Sequence, residues 1–231
     1  ARAQSEAEVK AGLRSYGGPL VWVCDASGRL RVLTPDLRNL VSGLGFSGKD
    51  PHPWAADVSR DGGLLVMERS GRIHRLALAG LEGPRLKIAK EEASFGGPGS
   101  VPGGFRDPLH LRILADQTIL VADTGHGLFQ RFSQSGKFLN TVGEPGFQGG
   151  GLVAPSDSAQ DAQGRVLAAD LISPLIEVFL PTGLYLYSLD PRPAAGAGTH
   201  ATSLAVDSQG RIWLADRYRH RILVMREKEE E

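Results

Sequence analysis

The sequence predicts an all-β fold assembled from copies of one repeated unit. Apolar runs of about four to six residues, rich in Val, Ile and Leu, recur along the 231 residues. Gly and Pro, with 30 and 14 residues, interrupt these runs within every repeat. Because the runs are too short for amphipathic helices and end in turn-forming residues, they are typical of β-strands.

The repeated unit consists of an apolar run, an acidic residue, a corner and a second apolar run. Its best-preserved copy is ILVADTGHGLFQRFSQSGKFL, residues 119–139. The acidic residues of successive copies are 43, 55, 47 and 46 residues apart: Asp25, Glu68, Asp123, Asp170 and Asp216. Five copies at a nearly constant period indicate a repeat architecture.

Further strand-like segments flank each unit. A short strand with a tight turn precedes four of the units, as in TSLAVDSQGR from residue 202, and another strand follows most units, as in GKFLNTVG from residue 136. Each repeat therefore contains four strands. Four strands in a repeat of about 40 to 50 residues predict a β-propeller.

These motifs resemble those of a known family. QTILVADTGHGLFQRFSQSGKFLNTVG, residues 117–143, is similar to the NHL-repeat pattern almost throughout, and SLAVDSQGRIWLADRYRHRILVM, residues 203–225, is nearly as close. The copy from residue 155 keeps DAQGRVLAAD, whereas the two N-terminal copies are degenerate. The chain thus resembles the NHL-repeat β-propeller family over residues 20–226, and the resemblance implies an all-β propeller of NHL type.

The number of blades stays open at this point. Since NHL propellers usually have six blades, five motifs indicate a five-bladed ring, a sixth blade that is degenerate, or a ring completed by something else. We expect an N-terminal extension at residues 1–18, a short helix or ring-closing segment, then the propeller at 19–226 and a charged tail at 227–231. The insertion EEASFGGPGSVPGGF from residue 91 is predicted to be a loop.

Composition excludes some function classes. Lys plus Arg and Asp plus Glu number 26 each, so no global charge favours nucleic acid. A single cysteine excludes an internal disulfide. The sequence contains no apolar stretch of 18 residues, so it predicts no membrane-spanning helix. The resemblance to NHL proteins, whose bacterial members are often exported, favours a periplasmic or extracellular location.

An enzyme site at the propeller channel is the first alternative. Peptidyl-hydroxyglycine lyases use an NHL-like propeller with axial His ligands placed just after the Pro that opens each innermost strand. The equivalent positions here hold no histidine: Trp54, Leu109, Ser156 and Thr202. We select four residues at or beside these positions as candidate binding residues at the channel mouth: Trp54, His110, Asp157 and Ser203. We assign no catalytic residue, metal ligand or cofactor.

Binding of single-stranded RNA is the second alternative, because some NHL domains bind RNA through a basic face. The last repeat places positive charge beside rings that could stack on bases, at Arg217, Tyr218, Arg219 and His220. The other repeats lack this cluster, and the acidic EKEEE follows it. A solvated blade edge is therefore favoured over an RNA site.

The sequence favours a non-catalytic binding or assembly module. A carboxylate that ends a strand can hold the following corner by accepting backbone N–H groups, so the five repeated acids are expected to be structural. The propeller faces and the Gly/Pro-rich loops between blades, including PGFQGGGLVAP from residue 145, are the expected contact surfaces. A protein partner or a homo-oligomer is expected, with a metal-assisted lyase or hydrolase near His110 and Asp157 as the alternative.

Overall fold

The computed structural model describes residues 21–24, 30–33, 39–41, 44–45, 53–82, 85–196 and 199–227. It consists almost entirely of β-strands and divides into two compact units, Ala1–Gly97 and Pro98–Glu231. None of the helices in these described ranges is long and apolar enough to cross a membrane. The extension expected at residues 1–18 and most of the expected tail lie outside the described residues.

The first unit contains two sheets. A three-stranded sheet has the order β1-β2-β3. Its strands are Val21–Cys24, Leu30–Leu33 and Asn39–Val41. A five-stranded sheet has the order β4-β8-β7-β6-β5. Its strands, from β4 to β8, are Leu44–Gly45, Pro53–Val58, Leu64–Glu68, Arg72–Glu82 and Arg85–Gly96.

Strand β8 corrects one expectation. The segment EEASFG, at the start of the predicted loop, forms the end of this strand rather than irregular structure. Its residues pair with β7, for example Ser94 with His74 and Gly96 with Arg72. The backbone groups of this segment thereby gain ladder partners, which local Gly and Pro content does not reveal.

The second unit contains three main sheets, which we call sheets A, B and C. Sheet A comprises β9 to β12: Pro108–Ile113, Ile119–Asp123, Leu128–Phe132 and Phe138–Val142. Sheet B comprises β15 to β18: Pro155–Gln160, Val166–Asp170, Ile176–Phe179 and Tyr185–Leu189. Sheet C comprises β19 to β21: Ser203–Val206, Arg211–Asp216 and Arg221–Arg226.

Each of these sheets is an antiparallel meander in chain order. Sheets A and B have the four strands that the repeat predicts. The remaining elements are short: β13 and β14, at Glu144–Pro145 and Gly151–Leu152, pair in parallel, and α1 is one turn at Arg192–Ala195. Single 3-10 turns follow β10 and β20, at Thr124–His126 and Arg217–Arg219.

The three sheets pack face to face around two apolar clusters. One cluster lies between sheets A and B and includes Phe129 and Phe179. The other lies between sheets B and C and includes Ile176 and Leu214. The central strand β16 contributes alternate residues to the two clusters, because successive side chains of a strand point to opposite faces. This stacking fixes the relative positions of the strand ends that form the site.

An aspartate–arginine pair recurs at the turn between the first two strands of four sheets. In two of these pairs, Arg165 Nε lies 2.5 Å from Asp161 Oδ2 and Arg211 Nε lies 2.6 Å from Asp207 Oδ2. The remaining pairs are Asp61 with Arg75 and Asp116 with Arg131. These pairs close the end of each sheet that lies opposite the corner following the repeated acid.

Candidate functional site

Three of the predicted channel-mouth residues meet at one carboxylate. Asp157, on β15, is only 4% exposed. His110 Nδ1, from β9, lies 3.0 Å from Asp157 Oδ1, and Arg112 Nη2 from the same strand lies 3.3 Å from that oxygen. The hydroxyl of Ser203, on β19, donates to Asp157 Oδ2. The side chains therefore converge because the first strands of sheets A, B and C lie side by side.

Backbone groups complete the shell of Asp157. The N–H of Ser158 donates to Oδ1 at 2.7 Å, and the N–H of Leu204 donates to Oδ2 at 3.1 Å. Both oxygens thus accept hydrogen bonds from protein groups. Asp157 therefore connects the first strands of all three sheets.

The sequence analysis missed Arg112. It lies two residues after His110 on the same strand, so both side chains project from one face. That spacing could have identified it. Among the described residues, Arg112 Nε and Ser156 Oγ, next to this cluster, are buried without a hydrogen-bond partner.

The fourth predicted residue, Trp54, lies in the first unit on β5. There, the guanidinium carbon of Arg69 lies 4.7 Å from the centroid of the Trp54 ring, which is a cation–π contact. The structure thus gives Trp54 a partner of its own within its unit.

The repeated acids hold the corners of the second unit. Asp170 accepts four backbone N–H groups, from Val153 and Ala154 at 2.7 and 2.8 Å and from Ile172 and Ser173 at 2.7 and 2.9 Å. Asp170 thereby ties its corner to the loop that precedes sheet B. This geometry agrees with the structural role expected of these acids, although two of the four donors lie in the loop before the sheet rather than in the corner.

Asp123 shows the same link with different donors. It accepts the N–H of Arg106 at 2.8 Å and the amide of Gln130 at 2.7 Å. His126 Nδ1 lies 2.7 Å from Asp123 Oδ2, the oxygen that also accepts the Gln130 amide. Gly125 donates its N–H to the carbonyl of Arg106 at 2.7 Å, and a Cβ on this glycine would lie 2.6 Å from that carbonyl oxygen. Only glycine, which has no Cβ, lets the corner approach the loop so closely.

The corner of sheet C carries the predicted basic cluster. Arg217, Tyr218, Arg219 and His220 are all exposed. The ring centroids of Tyr218 and His200 are 5.9 Å apart in an edge-on arrangement, and Arg219 Nη1 lies 3.4 Å from Thr199 Oγ1. Part of this cluster is thus anchored to the loop before β19, while its surface is open to a partner.

Large apolar side chains are exposed at this same end of the three sheets. Thr124 Oγ1, in the corner of sheet A, donates to Pro155 O at the start of sheet B at 2.7 Å, so the corners share one side. Four side chains, which we call the corner surface, are 53% to 80% exposed there: Val101, Phe147, Ile172 and Tyr218. Val101 and Phe147 lie in the Gly-rich loops that the sequence predicts as contact surfaces.

The donors present do not fit a bound metal ion. His110 and Asp157 are paired with each other, and no group of three or more His, Cys, Asp or Glu side chains in the described ranges could hold a metal. A metal would have to displace Arg112, Ser203 or a backbone N–H from Asp157. We therefore derive no chemical step through a metal.

Comparison with known proteins identifies the repeat. The NHL repeat model matches residues 199–225, which cover sheet C and its corner. The chain carries an NHL repeat. This match confirms the predicted resemblance to NHL-repeat β-propellers. No curated protein sequence matches the chain.

Solved structures share the fold of this NHL-repeat chain. A catalytically inactive virginiamycin B lyase from Staphylococcus aureus, solved with quinupristin, has a TM-score of 0.59 and 14% identity. The alignment covers 89% of this chain and 62% of the lyase, so the chain spans less than two thirds of that length. A streptogramin B lyase structure has a TM-score of 0.57 and 14% identity, with 91% of this chain and 70% of that chain covered.

A protein of unknown function from Bacteroides caccae is also similar, with a TM-score of 0.57, 16% identity and coverage of 82% of this chain and 64% of that chain. At these identities the likeness establishes the fold alone. The predicted all-β propeller fold of NHL type is confirmed, while the number of blades stays a prediction.

Proposed function

We propose that this NHL-repeat chain is a non-catalytic binding module that contacts a protein partner through its corner surface. The observation that carries the proposal is the exposure of Val101, Phe147, Ile172 and Tyr218 at one end of three adjacent sheets. Monomeric proteins seldom group several large apolar side chains on one exposed face without an interaction that covers them.

The chemistry of this end suits a protein interface. Aromatic residues and arginine are enriched in the centres of such interfaces, and Phe147 and Tyr218 are accompanied here by Arg217 and Arg219. Burial of one large apolar side chain contributes about 1.5–3 kcal/mol. A partner that covers Phe147 and Tyr218 would therefore gain most of its affinity from these two residues.

The corner surface is held in place before a partner arrives. Asp123 accepts the backbone N–H of Arg106, in the loop that carries Val101. Asp170 accepts the backbone N–H of Val153, next to the loop that carries Phe147. Binding then orders few additional groups, which lowers its entropic cost. This gives the repeated acids a role in recognition in addition to their role in folding.

The test is quantitative co-purification of the tagged chain from its own source. The variant Phe147→Asp is expected to reduce recovery of a stoichiometric protein partner by about tenfold or more, since a charge would replace an apolar side chain that the partner buries. The matched control is Leu139→Asp, which places the same charge at an exposed position on the outer strand β12 and is expected to leave recovery unchanged. Equal recovery with both variants would contradict the proposal.

A second candidate function rests on His110. Its imidazole is oriented by the buried carboxylate of Asp157, an arrangement that can serve a general base. The unsatisfied Arg112 Nε and Ser156 Oγ nearby could donate to a bound substrate. A lyase reaction would then proceed by proton abstraction rather than through a metal.

The structural neighbour solved with quinupristin supplies a substrate for testing this candidate. Quinupristin would be incubated with the wild-type chain and His110→Gln, and its conversion would be measured by liquid chromatography with tandem mass spectrometry. Turnover that is present in the wild type and lost in His110→Gln would support the lyase. No turnover in either protein leaves binding through the corner surface as the better account.

A further inference from the structure

A cleft of about 640 Å³ lies between sheets B and C, at the opposite end from the corner surface. Its floor is apolar and comes from both sheets: Leu167, Val178, Leu189, Val206 and Ile212. Its rim is polar and includes Arg165, Tyr187 and Glu227. A volume of this size lies in the range of sites that bind small molecules.

The packing between these two sheets explains why the cleft is open. Between sheets A and B, the rings of Phe129 and Phe179 fill the interface. The buried cluster between sheets B and C contains no Phe and includes the small residues Ala159, Ala169 and Ala201. Five larger side chains at its margin stay only partly buried: Tyr187, Leu189, Val206, Leu223 and Met225.

The rim contains a complete receptor for a carboxylate. Arg165 Nη2 donates to Glu227 Oε2 at 2.8 Å, and the hydroxyl of Tyr187 donates to the other oxygen, Oε1. Arg165 Nη1 also donates to the Tyr187 hydroxyl. Both oxygens of one carboxylate are thus held by a guanidinium and a phenol at the mouth of an apolar cleft, a charge-assisted geometry.

We propose that this cleft binds an amphipathic carboxylate, an apolar chain with a carboxylate head, and that Glu227 occupies the head-group position when no ligand is bound. The apolar body of the ligand would lie against Leu189 and Val206, which line the cleft and stay partly buried. Its carboxylate would replace that of Glu227 on Arg165 and Tyr187. Glu227 directly follows β21, so it can leave without breaking the pairing of that strand.

The directed donors of Arg165 favour a carboxylate head group. Asp161 already neutralises the guanidinium through Nε, at 2.5 Å, which leaves Nη1 and Nη2 directed at the phenol and at Glu227. With Glu227 displaced, Arg165 and Asp161 together are neutral, so the N–H groups of Arg165 and the O–H of Tyr187, rather than net charge, would hold the carboxylate of the ligand. Burial and the hydrogen bond to Glu227 raise the pKa of Tyr187 to about 12, so the phenol stays protonated and donates.

Decanoate is the probe for the test, with binding measured by isothermal titration calorimetry. The variant Glu227→Ala is expected to bind decanoate about tenfold more tightly than the wild type, because the internal competitor is gone. Arg165→Met is expected to weaken binding about tenfold or more, and Tyr187→Phe, which removes only the hydroxyl, is expected to weaken it less.

Two controls make the result specific. Arg211→Met removes the corresponding guanidinium of sheet C, which pairs with Asp207 outside the receptor, and is expected to leave decanoate affinity unchanged. Decylamine, with the same chain and the opposite charge, is expected to bind at least tenfold more weakly than decanoate. Equal affinity of the wild type, Glu227→Ala and Tyr187→Phe for decanoate, or preference for decylamine, would overturn the proposal.

Discussion

At the scale of single residues, buried carboxylates organise the second unit. Asp157 joins the first strands of three sheets, and Asp170 joins a corner to the preceding loop. Each accepts several N–H donors within a nearly dry environment, where a hydrogen bond to a charged group contributes about 1.5–3 kcal/mol. These residues therefore position the surfaces that the proposed functions use.

The repeated acids differ in how many partners they hold, which predicts different costs of removal. Asp170→Ala deletes four backbone contacts and is expected to lower the free energy of unfolding by about 3–5 kcal/mol. Asp216 holds Arg221 at 3.1 Å, and among the described residues its Oδ1 has no hydrogen-bond partner, so Asp216→Ala is expected to cost about 1–2 kcal/mol.

Urea unfolding followed by circular dichroism measures both variants against the wild type. Arg192→Ala, which loses only an exposed pair with Asp190, serves as the control and is expected to leave the urea midpoint unchanged. A cost for Asp216→Ala that equals or exceeds the cost for Asp170→Ala would contradict the structural assignment.

The aspartate–arginine pairs predict a dependence of stability on acid. Burial raises the pKa of Asp116, but the hydrogen bonds from Thr118 and Arg131 outweigh it and hold the pKa below the usual value of 3.8. A lowered folded-state pKa stabilises the fold above the unfolded value, and this contribution is lost as pH falls through the folded value. The wild type is thus expected to lose stability below about pH 4.

The variant Asp116→Asn isolates this effect. It is expected to be less stable than the wild type near pH 6, and the difference is expected to shrink as the pH falls toward 3, because the Asp116 carboxyl takes up a proton in the unfolded wild type before it does so in the folded state. Urea unfolding curves recorded at intervals from pH 6 to pH 3 measure the difference. A constant difference across this range would show that the lowered pKa of Asp116 does not contribute to stability.

At the scale of elements, sheets B and C of the second unit differ in whether both of their faces are buried. In sheet B both faces of strand β16 are buried, because its side chains belong to two apolar clusters. In sheet C, only the face of Leu204, Ile212 and Leu214 is buried. Ile222 is 62% exposed on the other face, in the same row as Ala215 and Ser203.

This difference predicts the cost of truncating each face. Phe179→Ala, in the cluster between sheets A and B, is expected to cost about 3–5 kcal/mol through lost burial and a residual cavity. Ile222→Ala on the exposed face of sheet C is expected to cost less than about 0.5 kcal/mol. Urea unfolding measures both, and a large cost for Ile222→Ala would show that this face is covered.

The elements could be predicted from the sequence wherever local pattern decides them. The apolar run, acid and corner of the copy at residues 119–139 become β10, a 3-10 turn and β11. The end of β8 could not be predicted, because its strand state depends on pairing with β7 rather than on its own composition. Pairing with the neighbouring strand of the hairpin, rather than the β-propensity of the segment itself, makes this segment a strand.

The candidate site was predictable in part for the same reason. His110, Asp157 and Ser203 occupy one repeat position on successive first strands, so repeat spacing alone brings them together. Arg165 and Glu227 lie 62 residues apart and in different repeats, with no shared pattern, and only packing between sheets B and C reveals their contact. The exposure of Phe147 also depends on packing, because the neighbouring sheets determine which face of its loop stays uncovered.

At the scale of the whole molecule, the second unit separates two kinds of surface. The corner surface lies at the end where the repeated acids hold loops and corners, and the carboxylate cleft lies at the end where aspartate–arginine pairs close the turns. Binding at one end leaves the contacts of the other intact. A protein partner and an amphipathic carboxylate could therefore occupy this unit together.

The most direct test of the central claim is site-specific photo-crosslinking at the corner surface. p-Benzoylphenylalanine would replace Phe147 in one protein and Ser135, in the exposed turn between β11 and β12 at the opposite end of sheet A, in another. After irradiation in the native source, crosslinked partners would be identified by mass spectrometry. The account predicts one dominant protein crosslinked from position 147 and none from position 135; equal crosslinking from both positions would contradict it.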